Sequence, residues 1–262
     1  MLAPFKRLRR MRAARLLLLE FVVVLAGVLA AQLLQDWFAN RAERARAGEA
    51  RTGIVNALHN TAELADIRMR MNLCMLDRIE RARDVLAGRG GQDAFLLELR
   101  VPEQQILDDP GFEAARPLLA KHFGPRDAMI FSSIQYLQDQ MNAAQDTELA
   151  AWQRLALLRP DNGPLDPALR AELQLALADA ARANRLLAEA GSVVFGHAEE
   201  LKVPRHARTL ELFAQSPKLC AAMVGYPRDR HGEAAKAGRL PDGNPLHPRL
   251  QTLLAPAPDG AS

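Results

Sequence analysis

Residues Leu16–Leu34 read LLLLEFVVVLAGVLAAQLL, a run of 19 residues broken by one charge, Glu20. As a helix it would be roughly 28 Å long at about 1.5 Å per residue, close to the ~30 Å hydrocarbon layer of a bilayer. A buried helix of a soluble domain is better served by a shorter apolar stretch of about 10–14 residues. Upstream lie Lys6, Arg7, Arg9, Arg10, Arg12 and Arg15 with no acid among them. Downstream, Arg41, Arg44, Arg46 and Arg51 are interleaved with Asp36, Glu43 and Glu49. The heavier cationic flank predicts an N-terminus in the cytoplasm and a chain that leaves the membrane near Trp37 and Phe38, which sit where an aromatic interfacial anchor belongs.

Val28 and Ala30 offer a small-residue cleavage site, so a secretory signal is the rival reading. The apolar run is longer than a typical signal core of about 7–15 residues, and the helical pattern continues beyond the site, which favours an uncut anchor. Either reading exports the remainder. Glu20 lies within about 40° of Gly27, Ala31 and Leu34 around the helix. Small residues beside a polar one suit a helix contact, so this face is expected to meet a second copy or another membrane protein within the bilayer.

Leu19-Glu20-Phe21, Val22-Val23-Val24, Gly27, Ala31-Gln32 and Trp37 together resemble the opening of a family of uncharacterised bacterial single-pass membrane proteins with helical exported portions. The likeness covers about twenty residues. Asp36 and Phe38 flank Trp37 where that family tends to place Asn. What the resemblance implies is an anchor in the bacterial inner membrane and a periplasmic or otherwise extracytoplasmic body; it implies no activity.

The chain has 34 Lys and Arg against 31 Asp and Glu. Taking the six N-terminal cations away leaves 28 against 31, a net charge of −3, so the basic excess marks topology and not a nucleic-acid footprint. No nucleic-acid partner is expected. Composition is that of a globular body, 49% hydrophobic and 25% charged.

Beyond Arg41 the pattern is helical almost throughout. Gly48 and Gly53 are the expected places for a bend. Val55, Leu58, Ala62, Ala65, Met69, Asn72, Leu76, Ile79, Arg83 and Leu86 alternate steps of three and four, a heptad-like seam that stops at Gly88, Gly90 and Gly91. Pro102, Pro110 and Pro117 predict two or three short helices. A second seam runs through Ile130, Ile134, Leu137, Met141, Ala144, Glu148, Ala151, Leu155 and Leu158. After the turn residues 159–164, Asp166-Pro167 opens a third seam, Leu169, Leu173, Ala176, Ala180, Ala183, Leu187, Ala190, Val194, His197 and Leu201. The short connection predicts an antiparallel hairpin between the last two. Shorter helices are expected over about 205–215 and 217–224. Six Pro and five Gly in residues 225–262 predict a loosely ordered tail, parts of which Leu240, Leu246, Leu250, Leu253 and Leu254 could lay on the bundle.

The expected protein is therefore all-α, with a basic segment 1–15, a transmembrane helix 16–38, an antiparallel helical bundle over 39–224 and the tail 225–262. Cys74 and Cys220 both fall in the exported part and are a candidate disulfide. They have no CxxC spacing and predict no zinc site. Asn72, Arg83, Glu148 and His197 are the polar residues of the seams. In a hairpin turning near residue 161, Glu148 and His197 would stand roughly 35 Å apart along the axis, so each is read as fixing register or facing solvent. His59 with Glu63, and His197 with Glu200, share helix faces without forming a di-iron pattern. Met69, Met71 and Met75 are expected core. No metalloprotease, phosphate-loop or nucleophile-elbow motif occurs, and neither cofactor nor catalytic residues are expected. An envelope scaffold or interaction module is the expected function. A ligand sensor signalling through a partner, or an enzyme of unrecognised type, are the alternatives.

Overall fold

The computed structural model describes residues 3–89, 100–102, 104, 105, 107, 117, 120–159, 162–203 and 207–254, with side chains from Leu18 onward except Ala57 and Ala207. The chain is all-α. Three long helices, α1 (Ala3–Leu86), α2 (Pro125–Leu155) and α3 (Pro167–Glu200), form the body. Three short ones follow, α4 (Ala207–Ala214), α5 (Arg228–Lys236) and α6 (Pro248–Leu254). Among the described residues there is no strand; one isolated bridge pairs Arg239 with Pro245.

Helix α1 is 84 residues long, about 126 Å at 1.5 Å per residue. It passes Gly48 and Gly53 without interruption, contrary to the expected bend. The surrounding Ala, Arg and Glu are strong helix formers, enough to offset the roughly 1 kcal/mol cost of each glycine. Thr52 adds a bond, its Oγ1 donating to the Gly48 carbonyl at 3.0 Å. The stop at Gly88 is as the glycines suggest. There φ is +71°, and Gly88 and Arg89 N–H donate back to Val85 and Asp84, the paired bonds of a Schellman cap.

The register of the bundle is written in its cross-helix contacts. Gly191 lies against Ala65, Asn184 Nδ2 donates to Asn72 Oδ1 at 2.9 Å, and an Arg170 Nη1 bonds the Leu86 carbonyl. Seven residues up α1 thus answer seven down α3, and fourteen answer fourteen, so the two are antiparallel with a constant heptad register. Arg126–Glu200 at 2.5 Å and Arg154–Glu172 at 3.9 Å show that α2 and α3 are antiparallel too. Asp166 caps α3, its Oδ1 accepting from Leu169 N at 2.8 Å.

Between α1 and α2 the numbers rise together: Glu43 with Lys121, Arg51 with Asp127, Thr61 with Gln138, Arg68 with Glu148. These helices are parallel. The expectation of a wholly antiparallel bundle holds for two of the three pairings, and the connection 87–124 is a return crossover along the bundle. The short helices expected within that connection fall largely outside the described residues.

The second seam is buried at every position except Leu137, and the third at every position except Leu169 and His197. The first departs from expectation. Met69, Asn72, Leu76 and Arg83 are only half-buried, and the buried line runs instead through Leu64, Ile67, Met71, Met75, Ile79, Ala82 and Leu86. An ideal helix drifts about 20° per heptad against a strict seven-residue repeat, so a long seam slides off its neighbour. The small residues of the third seam allow close packing. A Cβ on Gly191 would meet the Ala65 carbonyl oxygen at 3.2 Å. Gly191→Val is expected to lose about 1–3 kcal/mol, read from urea denaturation, through the overpacking it forces on the α1 backbone.

Residues 225–254 are not a loose tail. Helices α5 and α6 lie along α1, and Leu240, Leu246 and Leu250 are buried with Cys74 and Met223. The last eight residues, 255–262, lie outside the described part. The helix expected over 217–224 is instead a short 3-10 turn at Ala221–Gly225.

Candidate functional site

From Thr61 to Arg68 every residue of α1 is buried, including Thr61, Glu63, Asp66 and Arg68. Four polar side chains within two turns of a helix core demand partners, since an unpaired buried charge costs several kcal/mol. Gln138 Nε2 donates to Thr61 Oγ1 at 2.6 Å. Arg68 Nη1 stands 2.7 Å from Glu148 Oε2, both side chains no more than 2% exposed. His59 Nε2 lies 3.0 Å from Glu63 Oε1. Burial pushes the Glu148 carboxyl above the usual carboxylate range, with the Arg68 guanidinium working against the shift.

Beside this belt, α2 grips Gln105 and Leu107 of the crossover through two amide side chains. Asn142 Nδ2 donates to the Leu107 carbonyl at 2.7 Å while its Oδ1 accepts from Leu107 N at 3.1 Å. Gln145 treats Gln105 the same way, at 2.9 Å in both directions. Leu107 is thereby held in the core with Leu64, Ala65 and Met141. The backbone groups of these two residues, outside any helix, find their hydrogen bonds on side chains.

The second polar assembly joins the C-terminal strap, residues 219–254, to α1. Cys74 and Cys220 are disulfide-bonded, closing a separation of 146 residues. Arg70 Nη1 donates to the Tyr226 carbonyl at 2.7 Å, and Arg228 stands 3.5 Å from Asp66 and 4.1 Å over the Phe195 ring. Asp77 accepts from His247 N at 2.8 Å, Asp84 meets His247 Nε2 at 2.9 Å, and Arg249 lies 3.4 Å from Glu80. The strap is held by charge along one face of α1 and by a small apolar cluster.

Hydrogen bonding from His247, then from Arg89, holds the Asp84 carboxyl below its ordinary value. A depressed folded value means that the bond contributes fully above the ordinary aspartate range and is lost as pH falls through the lowered one. Asp84→Asn should therefore remove an acid-side component of stability, seen as a shallower fall of Tm between about pH 5 and 3.

The other residues singled out by sequence are distributed as follows. Glu20, Gly27 and Ala31 are exposed on α1, with nothing within 4 Å of a Cβ at Gly27. Asn72 and Glu148 face partners across the bundle, whereas Arg83 bonds Glu80 on its own helix. Glu148 pairs with Arg68 and not with His197, and Glu200 pairs with Arg126. Met71 and Met75 are core, and the Met69 sulfur accepts from Arg228 at 3.2 Å. Among the described residues no group of three or more His, Cys, Asp or Glu is placed to hold a metal ion.

Fold and site together define an all-helical bundle whose first helix begins with a stretch long and apolar enough to cross a membrane, exposed throughout. No protein-family model, curated protein or solved structure matches the chain. The likeness of residues 19–37 to bacterial single-pass proteins thus rests on those residues alone.

Proposed function

We propose that this chain is a membrane-anchored scaffold or interaction protein of the bacterial cell envelope, without enzymatic activity. In this reading residues 1–15 are cytoplasmic, 16–38 cross the inner membrane, and the bundle lies outside it. The observation that carries the reading is the unbroken course of α1 from the apolar run into the bundle core. From Leu18 to Ala42 every side chain is exposed, and burial begins at Glu43 and Ala47. A helix that leaves some 25 mostly apolar residues bare is unsuited to water and suited to lipid. Trp37 and Phe38 stack edge-on at 5.0 Å with Arg41 above Trp37 at 5.6 Å, an arrangement suited to the headgroup boundary.

The partners proposed are the bilayer and, through Glu20, Gly27 and Ala31, a second copy or another membrane protein. Thr61 with Gln138, Asn72 with Asn184 and Arg68 with Glu148 pair with one another across the bundle interior, which supports a structural body over a reactive one. A second reading, an exported sensor that signals through a partner, draws support from the same continuous helix, because it would carry motion from bundle to span.

Topology reporters fused before residue 16 and after residue 40 test the orientation; matching signals from the two positions would remove the single crossing. Crosslinking in intact cells from cysteines placed at positions 20, 27 and 31 should capture a partner in preference to the opposite helix face, and equal capture from both faces would remove the contact.

A further inference from the structure

We propose that the Cys74–Cys220 bond is a thiol–disulfide exchange site, open to attack by an anionic thiol from a cationic cleft. The bond lines a cleft of about 290 Å³ whose walls include Arg78, Arg100 and Lys218, with Asp242 as the carboxylate among its lining residues. Asp242 is engaged by Asn244, which donates to it from both its backbone N at 3.0 Å and its side chain at 2.8 Å. Arg100 is placed at the rim by donating to the Pro217 carbonyl, which is uncharged. Cys220 is half-buried, whereas Cys74 is 3% exposed. Cys220 is thus the more exposed half of the cystine, and the attack is assigned to its sulfur.

The chemistry follows from the setting. A thiolate is the attacking species, and nearby cations both concentrate it and stabilise the thiolate that departs. Attack on Cys220 Sγ forms a mixed disulfide and expels Cys74 as its thiolate. A second thiol of the reductant then attacks the mixed disulfide, forming the reductant's own disulfide and returning Cys220 as a thiol. Two electrons pass from the reductant to the cystine, and each liberated thiolate takes its proton from water. What the exchange controls is the strap, which without the bond depends on its apolar cluster and on its polar contacts with Asp66, Asp77, Glu80 and Asp84. This site is independent of the membrane reading.

The test compares two thiols on the full chain in detergent, without denaturant: mercaptoethanesulfonate, which carries an extra negative charge, and cysteamine, which carries a positive one. The anionic reagent is expected to react faster at equal thiolate concentration. The double variant Arg100→Glu/Lys218→Glu should lower the ratio of the two rates on the order of tenfold, while leaving the circular dichroism spectrum unchanged. The same reagents applied in urea should show no such dependence on the two residues. A bond that reduces only after the bundle unfolds, or a rate ratio indifferent to the double variant, overturns the proposal. If that variant fails to fold, Lys218→Glu alone with the same pair of reagents decides the matter.

Discussion

Glu148→Ala is expected to lower the stability of the bundle by about 3–5 kcal/mol, and Arg68→Ala by a similar amount. Either change leaves the other buried group without its ion-pair partner, both native side chains being no more than 2% exposed. The pair itself is a different quantity. Taking two ions out of water opposes their attraction, so the double replacement Arg68→Met/Glu148→Leu is expected to lie within about 1 kcal/mol of the native chain, or above it. Chemical denaturation of the four proteins measures both statements in one cycle. Single variants that each cost less than about 1 kcal/mol would mean that water reaches the pair. A double variant as unstable as the singles would mean that the ions hold the helices in register.

Cys74→Ser is expected to be of comparable size. Opening a loop with a sequence separation of 146 frees the unfolded chain by roughly 5 kcal/mol on the chain-entropy account. The loss should fall unevenly. The strap rests on a small cluster of Met223, Leu240, Leu246 and Leu250, on Leu219 and Val224 at the edge of the main core, and on a row of exchangeable charges, so it should detach before the three long helices separate. Hydrogen exchange of Cys74→Ser would then show protection lost over 221–254 and kept over α3. A uniform loss throughout would show that strap and bundle unfold as one cooperative unit.

The two helices whose seams were legible in the sequence, α2 and α3, pack on each other as the two arms of a hairpin. The hairpin of α2 and α3 keeps its three–four alternation for nearly its whole length, its seam positions being mostly Leu, Ala and other apolar residues that are buried at all but a few places. Helix α1 defeats the same reading after Ala65, because it is covered by α3 on one side, by the crossover segment on another and by the strap on a third. A side chain there can be core without lying on the seam. That is why Glu148 stood out as a polar interruption while Arg68, off the seam, did not.

Composition misjudged the strap for a related reason. Pro and Gly disfavour a free-standing fold, but they do not prevent a segment from being fastened to an existing surface. The fastening points are on α1, where Asp77, Glu80 and Asp84 recur at helical spacing opposite Arg249 and His247. Complementary charge on two distant stretches was visible in the sequence; their adjacency was not. The crossover's grip by Asn142 and Gln145 was signalled only by two amides three residues apart beside an apolar seam.

The unbroken first helix has one mechanical corollary. With no hinge between Leu18 and Leu86, a turn of its greasy end about the long axis must swing Asp66, Asp77 and Asp84 through the same angle, against α3 on one flank and the strap on the other. Torque delivered at one end of such a shaft is passed along the helix to the other, so rotation of the root is felt by the body.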